Sequence, residues 1–217
     1  MRKGKVAGGK EKNWPEYQEM MREHDVPDWY IKSCEKIKYM FPKAHAAAYV
    51  TNAFRIAWFK VHIPLAYYAA YYSIRAKAFD AQWMIFGKEK VKNKMKEIEI
   101  KNQKKEATKA ELDMYDDLEI VLEMYERGFS FLPVDLYASD STKFKIEEDK
   151  LRPPLNSIPG FGTVAAQGIV EARKDGKFMS IDDLKIRAKI GNSGAELLKE
   201  FGCLKGMSQS NQMSLFG

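Results

Sequence analysis

Cysteine is nearly absent: the 217 residues hold two, Cys34 and Cys203, and no CxxC pair. A disulfide framework and a cysteine-built zinc site are therefore excluded, and a reducing cytoplasm fits such a chain best. Long apolar runs are missing as well. The uncharged stretch Val61 to Ile74, rich in apolar residues, has 14 residues and contains His62 and Pro64, short of the roughly 20 apolar residues that cross a bilayer. No membrane partner is expected. Histidine is equally scarce, and His24, His45 and His62 are too scattered for a metal-ligand spacing. The start of the chain, Met1-Arg2-Lys3-Gly4-Lys5, is basic but leads to Gly8-Gly9-Lys10, so it lacks the apolar segment of a secretory signal. It reads as a loop, or as a chain opened mid-protein. No fixed-period repeat is visible, which excludes a solenoid.

What is present suits one large domain or two small ones. Apolar residues make up 45% and charged residues 30%, enough for a packed core. The formal charge is +6, which points toward a polyanion partner. Its distribution is uneven. Residues 1–60 carry 12 Lys/Arg against 7 Asp/Glu, residues 61–150 carry 15 against 17, and residues 151–217 carry 9 against 6. Both ends are basic and the middle is nearly neutral.

Helical patterning dominates up to about residue 127. Asp28 opens a helix through Met40, with Ile31, Cys34 and Ile37 on one stripe. Phe41-Pro42 breaks it, and the alanine-rich stretch Ala44 to Lys60 starts the next. A tyrosine-rich helix follows Pro64. Between Lys88 and Lys109 stand nine lysines and four glutamates, whereas Glu111 to Glu126 carries seven acids and no base. These two helices are expected to pair antiparallel through opposite charge. Gly128 stops the second. Phe129 to Tyr137 reads as an extended segment pairing with Thr142 to Ile146, and Arg152-Pro153-Pro154 as a stiff linker, with a boundary near 151.

Three motifs can carry function. In Ile158-Pro159-Gly160-Phe161-Gly162-Thr163, an apolar residue and Gly-x-Gly precede a helix, the pattern of a helix-hairpin-helix turn. Its glycines permit positive φ, and the backbone N–H groups of the helix start can hold a phosphate. Ser180 to Asp183 is a capping box for a further helix. Ile190-Gly191-Asn192-Ser193-Gly194 reads as a degenerate second hairpin. The second motif places His45, Tyr49 and Asn52 on one helical face among alanines, with Lys43 and Arg55 nearby. Such a face can stack on a base through Tyr49 and hold phosphates through its cations; a buried aromatic stripe is the alternative. The third is the terminal Gln212-Met213-Ser214-Leu215-Phe216. A glutamine and two large anchors suit docking into an apolar groove. No catalytic constellation is complete, since Asp116-Asp117 and Asp182-Asp183 occupy helical surface or capping positions.

Phe41 to Tyr49, Arg127 to Phe131, Asp135-Leu136-Tyr137, Pro153-Pro154, Ile158 to Gly162 and the terminal Gln-Met-Ser-Leu-Phe together resemble one family, in order along the chain from about Trp14 to Phe216. It is the C-family replicative polymerase of low-GC Gram-positive bacteria, the PolC-type DNA polymerase III α subunit. The resemblance implies a mainly α fold: a helical fingers portion at 1–127, a short extended (β) connector at 128–150, a helix-hairpin-helix duplex-binding module at 151–206 and a flexible tail at 207–217. It also implies that Lys43, His45, Tyr49 and Arg55 contact the incoming nucleotide, that Gly160, Gly162 and Thr163 hold duplex backbone, and that Gln212, Leu215 and Phe216 dock on the sliding clamp. Expected partners are primer–template DNA, a dNTP, the clamp and the rest of the polymerase chain. The family's palm aspartates have no counterpart here, so no cofactor is expected in this chain, with Mg2+ belonging to the parent's palm. A stand-alone, non-catalytic DNA-binding accessory protein using the same hairpin and clamp peptide is the alternative.

Overall fold

The computed structural model describes residues 4–38 and 43–210. Ten α-helices and one small antiparallel sheet form these residues, the mainly α fold that the sequence implies. The chain divides into two units, Met1–Ala57 and Trp58–Gly217.

In the first unit, α1 (Trp14–Glu23) and α2 (Asp28–Lys36) are tied by Glu35, whose carboxylate accepts from Trp14 Nε1 at 3.1 Å and Gln18 Nε2 at 2.8 Å. Ile31 and Cys34, one turn apart on α2, are its buried residues. The helix ends at Lys36, because Ile37 is already extended. Then α3 (Lys43–His62) begins; it contributes its first residues to this unit and its last to the next.

The second unit opens with α4 (Pro64–Ile74), whose Pro64 sits in the first turn, where its missing N–H costs nothing. Tyr68 and Tyr72 of α4 are buried. Arg127 donates to the Tyr68 hydroxyl at 3.1 Å and to the Lys60 carbonyl at 2.9 Å. After the single turn α5 (Ala81–Met84) come α6 (Lys88–Gln103) and α7 (Lys109–Glu126). Their pairing is antiparallel, as their charges predict. Glu126 at the end of α7 meets Lys88 and Lys92 at the start of α6, at 3.2 and 3.4 Å, and Glu111 meets Lys101 at 2.6 Å. These exposed pairs select the partner; burial of Val91, Ile98, Leu118, Val121 and Met124 supplies the stability.

Glu111 also completes a capping box with Thr108 at the start of α7. The Lys101 ammonium, and then the Thr108 N–H, hold its carboxyl down at about 2, against an ordinary 4.5. A carboxyl lowered on folding contributes stability that is full above 4.5 and disappears as pH falls toward about 2. Glu111→Gln should therefore lower the melting temperature at pH 7 and have progressively less effect as pH falls through that window, which paired melts at pH 7 and pH 3 would show.

The expected strand pairing is corrected. Here β1 (Lys145–Glu147) pairs with β2 (Lys150–Arg152) across Glu148 and Asp149, both at positive φ, while Phe131 meets Leu151 by one parallel bridge. Asp135 explains the difference. Its Oδ1 accepts from the N–H groups of Tyr137 and Ala138 at 2.8 and 2.7 Å, which turns the chain where a strand would continue. Nor do Pro153 and Pro154 behave as an exposed linker: both are buried, and the Pro153 carbonyl accepts from Ser139 Oγ at 2.7 Å. One apolar core runs from Tyr68 to Leu204.

After a 3₁₀ turn (Leu155–Ser157) the chain ends in α8 (Thr163–Ala172), α9 (Ile181–Ala188) and α10 (Asn192–Glu200). Gly168 lets α8 lie against α9, since a Cβ there would stand 2.4 Å from the Ala188 carbonyl oxygen. Alanine is the better helix former by about 1 kcal/mol, yet the clash reverses the sign. We expect Gly168→Ala to cost about 1–3 kcal/mol and to lower the melting temperature by about 3–10 °C; an unchanged or raised value would remove this contact from the account.

Candidate nucleic-acid interface

The first hairpin is a turn fastened at both ends. Ile158 and Phe161 are buried, and the Phe161 N–H donates to the Ile158 carbonyl at 2.9 Å. Pro159 and Gly160 occupy the two central positions, with Gly160 at φ +78°, the arrangement of a type II turn. Gly162 differs from the expectation that both glycines are needed for positive φ. It is the N-cap of α8 at φ −70°, ψ 148°, a conformation open to any residue, and a Cβ there would meet nothing within 4 Å. Its significance is chemical: no side chain caps α8, and among the described residues no bond takes the N–H groups of Thr163, Val164 and Ala165. Thr163 follows as an exposed residue, its hydroxyl within 3.3 Å of Asn156 Nδ2.

A second hairpin with the same sequence of positive φ, buried anchor and glycine N-cap joins α9 to α10, although its turn closes differently, the Ile190 N–H donating to the Lys185 carbonyl at 3.2 Å. Lys189 takes the place of Gly160 at φ +53°, Ile190 is buried as Phe161 is, and Gly191 is the N-cap of α10 at φ −77°, ψ 174°, again without a side-chain cap. The two hairpins thus match as Gly160-Phe161-Gly162 and Lys189-Ile190-Gly191. The sequence pattern puts the second hairpin on Ile190 to Gly194 with its helix from Ala195, three residues after α10 begins, because a lysine at positive φ carries no residue-type signal. Gly194 has another task. A Cβ on it would lie 3.4 Å from the Phe161 ring and 3.7 Å from Ile190 Cβ, so the anchors of both hairpins meet beneath it.

Between the two open helix starts stands a closed one. The N–H groups of Ile181 and Asp182, first in α9, donate to the carbonyls of Ser208 and Gln209 at 2.9 and 3.1 Å. The next, Asp183, donates to Ser180 Oγ at 3.1 Å, and the Asp183 carboxylate accepts from the Met179 N–H at 2.9 Å. The Ser180 cap read from the sequence is therefore present, but the reciprocal half of the expected box is not, because the Asp183 carboxylate takes the N–H of Met179 rather than that of Ser180. Helix α9 has no donors left for an anion, whereas α8 and α10 keep theirs. Arg187 is likewise committed, since it binds the carbonyls of Ala172, Gly176 and Lys177 and lies 4.6 Å from the Phe178 ring centre. Lys189, in the second turn, is exposed. An open groove of about 540 Å³ flanks the first turn on the side of Asp80, whose carboxyl burial pushes upward.

On α3, His45 and Tyr49 come together with ring centres 4.4 Å apart. Tyr49 is 67% exposed, so these rings belong to the surface rather than to a buried stripe. Lys43 and Arg55 are exposed too, but at 100° per residue each lies about 120° around the helix from Tyr49, and they do not share its face. Gln212, Leu215 and Phe216 lie outside the described residues. Among the described residues no group of three or more His, Cys, Asp or Glu is placed to hold a metal ion. No helix among them is long and apolar enough to cross a membrane.

Paired helices joined by short turns with exposed N-termini define a helix-hairpin-helix protein, and residues 128–214 match the family described as helix-hairpin-helix motif. The relatives are more specific. The chain is 52% identical over 198 residues, 91% of its length, to DNA polymerase III PolC-type of Caldanaerobacter subterraneus and to that of Clostridium perfringens, and 52% identical over 201 residues to that of Oceanobacillus iheyensis. It belongs to the PolC-type DNA polymerase III family, and it spans 14% of the length of these relatives.

Proposed function

We propose that this chain is the part of a replicative DNA polymerase that holds the primer–template duplex, and that the matched pair of uncapped helix starts at Gly162 and Gly191 is what holds it. Two neighbouring helix N-termini of one build, each presenting several N–H groups and the positive end of a helix dipole, suit two phosphates of a backbone. Contacts of that kind carry no base sequence, as a replicative enzyme requires. Residues 1–127 then serve as the fingers portion, where Tyr49 and His45 face a base and Lys43 and Arg55 act as phosphate contacts from other faces of α3. The tail at Gln212, Leu215 and Phe216 docks on the sliding clamp, in the cytoplasm. Phosphoryl transfer itself, a nucleotidyltransferase reaction, belongs to carboxylates and metal ions of a palm elsewhere in the parent.

The 217-residue chain should bind a blunt DNA duplex with an affinity that falls linearly in log–log coordinates with salt, and should extend no primer. Binding that survives high salt, or extension without an added palm, would overturn the reading. For the fingers portion, Tyr49→Ala in the full-length polymerase should raise the KM for dNTP about 5- to 100-fold, because stacking on a base is worth about 1–3 kcal/mol. An unaltered KM removes Tyr49 from the nucleotide site.

A further inference from the structure

Helix α6 carries six lysines. Four of them, Lys88, Lys92, Lys94 and Lys101, pair with glutamates at 2.6 to 3.4 Å. Lys90 has no such partner among the described residues. Its ammonium stands instead over two aromatic rings, 4.7 Å from the centre of Phe86 and 5.4 Å from that of Trp83. Lys94 lies over the same indole at 4.5 Å, but Glu97 already matches its charge. Ring contacts hold a flexible side chain in place without neutralising it. A cation held in this way loses little rotamer freedom when an anion arrives.

The cation stands beside the first hairpin. Phe86 and Gln82 share a groove of about 420 Å³ with Pro159 of the turn, and Asp80, the N-cap of α5, lines the other groove with Gly160 and Gly162. Burial pushes the Asp80 carboxyl up, while the Gln82 and Trp83 N–H groups, and then the charges of Lys94 and Lys90, pull it down. The charge of Lys90 thus reaches the groove at Gly162. We infer that Lys90 is a third phosphate contact of the duplex grip, carried on α6, so that the grip extends beyond the helix-hairpin-helix module. The inference rests on reading Gly162 and Gly191 as phosphate sites; what it adds is a full cation from another part of the chain. Helix starts bring only partial charge. A phosphate at Gly162 also meets the Asp80 carboxylate in its groove, and a nearby ammonium offsets that repulsion.

The test counts released counterions. In Lys90→Met the stem still packs on the two rings, but the charge is gone. On a blunt duplex, the log–log slope of affinity against salt should become shallower by about 0.9, which is about an eightfold loss of affinity at about 0.1 M salt that closes toward about 1 M. Lys90→Arg should keep the slope, because a guanidinium both stacks on aromatic faces and holds phosphate. Lys96→Met is the control. Lys96 is exposed and also lacks an ion pair among the described residues, but it lies about 120° round α6 from Lys90, so its loss should leave the slope unchanged. A Lys90→Met slope equal to that of the unaltered chain overturns the inference and leaves the helix starts in place. A shallower slope in Lys90→Arg or an equal change in Lys96→Met overturns it too, since the fold or the bulk charge would then be the cause. An unaltered chain with no duplex affinity overturns the grip and Lys90 with it.

Discussion

Replacing Gly162 and Gly191 together by aspartate should leave the protein at least as stable as before and abolish its grip on DNA. Both glycines have φ and ψ that any residue adopts, and a Cβ at either meets nothing within 4 Å. Aspartate is among the best N-cap residues and gains a few tenths of a kcal/mol over glycine. Its charge at the positive end of each helix adds about 0.3–1 kcal/mol. The same carboxylates occupy the N–H groups that a phosphate needs, and they repel it. Hydrogen bonds to a charged group are worth about 1.5–3 kcal/mol each, so losing both sites should weaken duplex binding at least about a hundredfold. Fluorescence anisotropy with a labelled duplex reads the affinity, and a thermal melt reads the fold. The opposed signs are what make the pair informative. A glycine that merely shapes a turn predicts a lower melting temperature, whereas an anion site predicts an equal or higher one with the binding gone. Retained affinity would reduce both hairpins to connectors.

The first hairpin was legible because its demands fall on residue types. A buried Ile158, a Pro-Gly pair at the centre of a turn and a helix-favouring run after Gly162 each leave a mark in the sequence. The second puts Lys189 at its positive-φ position, and lysine there leaves none. The late helix start that the sequence suggests, Ala195 rather than Asn192, comes from Gly194, which looks like a turn glycine but serves close packing against Phe161 instead. The α6 and α7 pair was legible from charge alone, because seven acids facing a lysine-rich partner leave few other arrangements. The strand misreading at Phe129 to Tyr137 has a local cause: β-type residues around Asp135 suggest extension, but a side-chain oxygen two residues before an N–H competes with any ladder. The division between Ala57 and Trp58 falls within α3, where an unbroken helical pattern gives no sign of it. Surface exposure on α3 was equally hidden, since alanines with interspersed aromatics describe a buried helix as well as a presented one. What settles the difference is the environment of Tyr49, which spacing does not contain.

Truncating Leu215 and Phe216 to alanine should remove clamp binding by at least about a hundredfold while duplex affinity stays within about twofold. Peptides that dock in apolar grooves concentrate their energy in one or two large side chains, each worth about 2 kcal/mol or more, and two such losses amount to about 4 kcal/mol. On the proposed reading Gln212 sets register rather than filling the groove, so Gln212→Ala should cost less than either anchor. The duplex control is decisive because the tail and the grip share one element. Helix α9 is closed by the carbonyls of Ser208 and Gln209, so a change that pulled these two residues away would also expose the helix start and disturb the neighbouring hairpin. Substitutions at 215 and 216 lie beyond Ser208 and Gln209 in the sequence and should leave the hairpins untouched. Pull-down with the clamp and anisotropy with the duplex separate the outcomes. Clamp binding that persists removes the docking peptide, and a joint loss of both affinities would mean that the last residues support the fold of the module rather than a partner.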